Sequence, residues 1–464
     1  MPRRNTTRLL TVGDVRRLDV PRDAVGRATD GSCGGRFPGR FRRDGRACYR
    51  SFRRATAVAL MLLVCSQTLA MAITYYVAPY GNDENLGSQT APFRTVPQGL
   101  ARAGAGDTVF VKSGTYDLAG FATTVDYALT LTGEDKGSTV LTNGGTLTCA
   151  KSLTVENVTF RNWRSTVFKP AASEGGLLDG FVVRNCIFEH LASAINTGKE
   201  PKGVITNVKI ANCEFRNMEG NGVAAISIAY GVISNVQVTG STFKNLKSTT
   251  KGCSAVVVGS NATRATTKDI LISENEMDTI WGPTTVVDGA GPEVHGILAY
   301  GTNVRILKNV VRNLNAGTDH EAIYMKASHS VIADNVVENC GSGSGGADIT
   351  SKGGEASEGN VISGNRITSL QPGRGMLING GTIIKGNHIK KPNGLNGIDV
   401  YAFGKPVTIT GNYVETKLGS AIRLEGGKDG IISDNIAISY AGTPIKVRGS
   451  LGTTIQANQE RQVP

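Results

Sequence analysis

The chain has 464 residues, of which 40% are hydrophobic, 6% aromatic and 19% charged, with 59 glycines and 8 cysteines. That much apolar material excludes a solvated coil, and a single short apolar run excludes a membrane-embedded protein. The net charge of +12 is local: residues 1–72 hold 15 Arg and 5 Asp, leaving 35 basic and 33 acidic side chains in the rest. No nucleic-acid partner is expected from so balanced a body.

Residues 1–52 are Arg- and Gly-rich without periodicity, and read as translation from an upstream start, with a basic cytoplasmic arm as the alternative. Residues 53–72 read as a secretory signal peptide. Arg53-Arg54 precedes the apolar run ATAVALMLLV, and Ala70-Met71-Ala72 supplies a small-residue cleavage site before Ile73. The bulky Val64 before Cys65 argues against a lipoprotein site. A secreted or periplasmic protein with no membrane contact after cleavage is expected. Five cysteines remain beyond Ala72, at 149, 186, 213, 253 and 340. An odd number at wide spacing is no disulfide framework, and Cys186 and Cys213 occupy equivalent core places in successive repeats.

Repeats dominate the remainder. NVTF, NCIF, NCEF and GSTF begin at residues 157, 185, 212 and 240, and further asparagines follow short β-branched runs at 309, 335, 365, 387, 412, 435 and 458. A period in the twenties with short strands and Gly-Asn-Asp turns predicts an all-β parallel solenoid, about a dozen coils over 146–464. Aliphatic side chains fill its interior, and asparagine amides stack into a ladder along one turn. Residues 73–145 are expected to form the N-terminal cap and first coils. The stretch ITYYVAPYGNDENLGSQTAPFRTVPQGLARAGAGDTVFVKSGTY resembles the start of secreted bacterial proteins with a right-handed parallel β-helix of the pectate-lyase type, which implies that handedness here.

The sequence lacks HExxH, GxSxG, Walker and CxxC motifs, so zinc and nucleophilic-serine chemistry are unsupported. His295, His320 and His329 are too scattered for a metal triad. Charges instead gather on consecutive coils between residues 293 and 355. Aligning Ile297, Ile323 and Ile349 inward sends Tyr300, Lys326 and Lys352 outward in one column. Two ammonium groups one coil apart repel, which favours one of them neutral. A neutral amine beside a cation suits proton abstraction next to a carboxylate. The alternative is a pair of solvated lysines on a sheet face.

VFKPAASEGGLLDGFVVRNCIFEHL (167–191) and ISIAYGVISNVQVTGSTFKNL (226–246) are similar to early coils of the polysaccharide lyase family of chondroitinase B and the β-helical alginate lyases. That family carries D/E-x-E-x-I-x-x-K, matched here by Asp319-His320-Glu321-Ala322-Ile323-Tyr324-Met325-Lys326. The resemblance implies Lys326 as general base, with Asp319 and Glu321 holding a calcium ion, a hard cation suited to carboxylate oxygens. Where the family has Arg-His-Gly one coil later, its Arg acting near the leaving oxygen, this chain has Lys352-Gly353-Gly354, so Lys352 is the candidate there, and Glu293, near the place of the family's Asn ligand, is the candidate to substitute for it. Tyr300 and Tyr324 are candidate stacking platforms or acids, and Arg374, Arg423 and Tyr401 candidate sugar contacts. The expected function is β-elimination on a uronate-containing acidic polysaccharide by a monomer, alginate first, then glycosaminoglycans or pectin. A C5-epimerase and a non-catalytic carbohydrate-binding solenoid are the alternatives.

Overall fold

The computed structural model describes residues 71–463, apart from 200–201, 284–292, 316–318, 342–345, 354–356 and the side chain of Asp319. The signal segment and the extension before it therefore lie outside the described residues up to position 70. The described chain is almost wholly β, with one α-helix, Val96–Arg102, and one 3-10 turn, Arg264–Thr266. No helix among the described residues is long and apolar enough to cross a membrane.

Every strand pairs in parallel with its equivalent one coil on. Leu153–Glu156 lies beside Leu177–Arg184, which lies beside Val204–Ala211, then Val232–Thr239, then Lys268–Ser273. Parallel pairs need a crossover, and right-twisted strands return to the sheet in a right-handed sense. The outcome is a right-handed parallel β-helix with one 14-stranded sheet and one bent 27-stranded sheet. Two strands of each typical coil belong to the larger sheet and one to the smaller.

Stacking identical side chains on successive coils explains why the repeat folds this way. Phe160, Phe188, Phe215 and Phe243 form a buried pile with centroids 5.1, 5.0 and 4.7 Å apart and planes within 11°. That separation is the distance between hydrogen-bonded strands. Met277, Val311, Val337 and Ile367 continue the column once the aromatic residues end. The five cysteines at 149, 186, 213, 253 and 340 are buried and free.

The asparagine ladder is present, with its register corrected in the early coils. Side-chain amides run from Asn275 through Asn309, Asn335, Asn365, Asn387, Asn412 and Asn435 to Asn458, each Nδ2 donating to the next Oδ1 at 2.9–3.0 Å. The asparagines of NVTF, NCIF and NCEF fall one residue short of this column. Asn157, Asn185 and Asn212 stand at φ 58°, 52° and 54°, the left-handed conformation that Asn tolerates best after Gly. The inward place is taken there by Val158, Cys186 and Cys213. Asn335 shows what the true ladder does: its Oδ1 accepts both the amide and the backbone N–H of Asn309. Asn335→Ala leaves the buried backbone N–H of Asn309 unpaired, at about 1–3 kcal/mol, while the Asn309 amide keeps its bonds to the carbonyls of Ile272 and Leu307. A urea-unfolding midpoint unchanged by that substitution would show the ladder to be ornamental.

Candidate functional site

Bending of the larger sheet presents three outward columns on one face. In the first, Ser254, His295 and Glu321 are in register. In the second, Leu298, Tyr324, Thr350, Leu377, Asp399 and Arg423 follow one another. In the third, Tyr300 pairs with Lys326. Lys352 comes one coil later, its N–H donating to the carbonyl of Met325 at 3.0 Å. Ile297, Ile323 and Ile349 point inward and are fully buried. The alternation that put Tyr300, Lys326 and Lys352 on one outward line is the observed one.

These columns converge on Tyr324. The Lys326 ammonium lies 4.8 Å from the Tyr324 ring centroid and 5.5 Å from that of Tyr300, and Lys352 lies 6.0 Å from Tyr324. Cations over aromatic faces are held by the ring quadrupole. Neither lysine makes an ion pair with a described residue. Tyr300 is only 7% exposed. Burial, with the charges of Glu293 and Glu321 behind it, pushes its hydroxyl up to about 12. It is therefore a proton donor throughout the neutral range rather than an open stacking surface.

A further pair joins the cluster that sequence reasoning passed over. His295 Nε2 is 3.3 Å from Glu321 Oε2 and 3.9 Å from Glu293 Oε2, and its ring centroid is 5.7 Å from that of Tyr324. His295 and Glu321 are both 2% exposed, whereas Glu293 is open to solvent. The coil period was the missed signal, since 295 and 321 are one coil apart just as 300 and 326 are. Of the carboxylates expected to hold calcium, Glu321 and Glu293 both face His295, and the Asp319 side chain lies outside the described residues. No group of three His, Cys, Asp or Glu among the described residues is arranged for a metal.

Arg374 and Arg423 lie farther along the same face and do not stand free. Arg374 Nε donates to Asp399 Oδ2 at 2.8 Å, and Asn396 Nδ2 donates to the same oxygen at 3.0 Å. Arg423 Nη1 is 3.4 Å from Asp399 Oδ1 and donates to the Tyr401 hydroxyl at 3.1 Å, while its other nitrogen pairs with Glu425. Asp399 is fully buried beneath both guanidinium groups. It fixes their planes and leaves each side chain about one-fifth exposed.

Residues 321–459 match the family model described as the right-handed beta helix region. Residues 80–279 match a second model, described as a protein of unknown function, DUF1565. No curated protein matches significantly. The solved structures it is similar to include an alginate lyase complexed with a trisaccharide, 12% identical over 84% of this chain and 86% of that one, with a TM-score of 0.44. A periplasmic alginate epimerase is 10% identical over 75% and 77%, with a TM-score of 0.39. A lacto-N-biosidase from Eubacterium ramulus is 13% identical over 89% and 72%, with a TM-score of 0.38.

Proposed function

We propose that this chain is a secreted polysaccharide lyase that breaks a uronate-containing acidic polysaccharide by β-elimination, with alginate the first substrate to try. One observation carries the reading: Lys326 and Lys352, without carboxylate partners among the described residues, flank Tyr324 on successive coils beside the buried hydroxyl of Tyr300. An anionic sugar laid on this face meets two cations where its own charge needs offsetting.

The steps follow from that placement. A cation at Lys352 draws charge from the uronate carboxylate, which makes the hydrogen on the adjoining C5 acidic. Lys326, on giving up its ammonium proton to solvent, takes that proton. The electron pair left at C5 becomes the C4=C5 double bond as the C4–O bond breaks, and the departing oxygen takes a proton from the Tyr300 hydroxyl. His295 and Glu321 back the ring of Tyr324 and hold the floor of the cluster. If calcium binds here, Glu321 and Glu293 are the described carboxylates that would hold it, and the ion would add to the offset of the substrate's charge.

The test is to incubate the purified protein with alginate, pectate, chondroitin sulfate and dermatan sulfate, with calcium or with chelator. Ultraviolet absorbance of new unsaturated ends is the readout. A rise on any of the four identifies the substrate class, and the chelator arm reads out the contribution of a metal. Tyr300→Phe is expected to slow the reaction about 10²-fold or more, as for loss of a positioned acid, with little change in KM. A flat trace with solvent hydrogen exchanged at C5 would instead mark an epimerase. A flat trace without exchange would leave a binding solenoid.

A further inference from the structure

The turn at residues 259–267 is longer than its equivalent in the following coil, where the strand Glu293–Leu307 runs through the corner unbroken. Its shape is fixed from within. The Thr263 hydroxyl donates to the carbonyl of Ala229 at 3.1 Å, and the Thr267 hydroxyl donates to the carbonyl of Thr263 at 2.9 Å. Thr302 N–H donates to the carbonyl of Thr267 at 3.1 Å, tying the turn to the strand that carries Tyr300. Gly301 makes that approach possible. It stands at φ 125°, and a Cβ there would lie 2.2 Å from the Thr267 oxygen.

Arg264 begins the 3-10 turn at the tip of this segment. Its Nη2 lies 2.6 Å from the point that a Cβ on Gly353 would occupy. The guanidinium therefore arrives beside Gly353, the residue that follows Lys352, three coils from its own, a rise of about 14 Å at the usual strand spacing. Glycine at 353 is what admits it. Arg264 makes no ion pair with a described residue, so three cations, Arg264, Lys326 and Lys352, border one stretch of the face. Against the two described carboxylates of the cluster, Glu293 and Glu321, these three cations leave the stretch net positive, which favours a further anion there. A planar guanidinium also offers a carboxylate two parallel N–H donors, which a lysine does not.

We propose that Arg264 is a substrate-binding residue that grips a carboxylate of the acidic polysaccharide beside the sugar on which Lys326 acts. This rests on the reading of the face as a site for an acidic polymer, and it adds an arginine from outside the coil that carries Lys352.

The experiment measures binding without turnover. Lys326→Ala and the double variant Lys326→Ala/Arg264→Gln are compared by calorimetry with alginate, pectate and chondroitin sulfate, and with carboxyl-reduced alginate as the uncharged probe. Loss of one charge-assisted contact is expected to weaken binding of an acidic polymer roughly ten- to a hundredfold. Arg264→Lys should recover part of that loss, and the reduced polymer should not distinguish the variants. Equal affinity of both variants for the acidic polymers overturns the proposal. So does an equal loss on the reduced polymer, or an absence of binding to all three acids. The lyase reading stands or falls apart from this. Unsaturated ends formed at an unchanged rate and KM by Arg264→Gln would overturn the role of Arg264 alone. An arginine-dependent affinity with no unsaturated ends from the wild type would overturn the lyase alone.

Discussion

Lys326→Ala is expected to lower turnover 10²- to 10⁴-fold, the range lost with a positioned general base, while the protein stays folded. The side chain is half-buried against Tyr300 and Tyr324 and has no ion-pair partner among the described residues, so its removal opens no charged gap in the core. Lys326→Arg is the sharper variant. It keeps a cation over the two rings, yet a guanidinium does not give up its proton in a protein. If Lys326 abstracts the proton, arginine should be nearly as inactive as alanine. If the arginine variant works at the wild-type rate, the position supplies charge alone and the base must be sought elsewhere, with His295, whose ring lies 5.7 Å from that of Tyr324, the next to test. Circular dichroism and the unfolding midpoint of each variant separate loss of chemistry from loss of fold.

Lys391→Met should destabilise the protein by about 3–5 kcal/mol, the cost of leaving one member of a buried pair uncompensated. Lys391 Nζ lies 2.7 Å from Asp348 Oδ2, and both side chains are fully buried. Burial pushes the Asp348 carboxyl up to about 6, with Lys391 opposing the rise. The folded state thus holds this proton more tightly than the unfolded chain, whose carboxyl titrates near 4. Asp348 accordingly contributes stability that is complete below about pH 4 and lost as the pH rises towards 6. Without Lys391 the carboxyl has nothing to oppose its burial, and the deficit of Lys391→Met should widen as the pH rises through neutrality. Asp348→Asn/Lys391→Met, which removes both charges, should recover most of the loss. Denaturant melts of the two single variants and the double variant at pH 5 and pH 7.5 check this. A double variant as unstable as the worse single one would show that the pair matters for its shape rather than its charge.

How far the sequence could be read depends on whether a feature obeys the coil period. Tyr300, Lys326 and Lys352 obey it, and three aliphatic residues at matching offsets were enough to place them on one outward line. The buried columns of phenylalanine and the later asparagines obey it too. The early asparagines were misaligned because NVTF and its copies begin with a turn residue, and only the register of the phenylalanine two places past Cys186 or Cys213 reveals the offset. His295 and Glu321 were legible by the same arithmetic and were missed because each was weighed singly. Arg264 and the Asp348–Lys391 pair were not legible. One reaches its place through a turn with no counterpart in the next coil. The other joins the two sheets across the interior over 43 positions of sequence, a distance that no repeat length encodes.

Because each coil rests only on its neighbours, heat should act on this molecule as it does on a rope, fraying it from an end. The last two described strands, Thr454–Gln456 and Gln459–Gln462, are exposed along their whole length. Fraying from that side meets Arg423 and Asp399 several coils before it meets Lys326. If the face holds the polymer as proposed, a gently warmed sample should lose its distant hold on a long chain while the chemistry at the centre still runs. Its product profile on heating should shift from processing of long chains towards trimming of short ones before activity stops altogether.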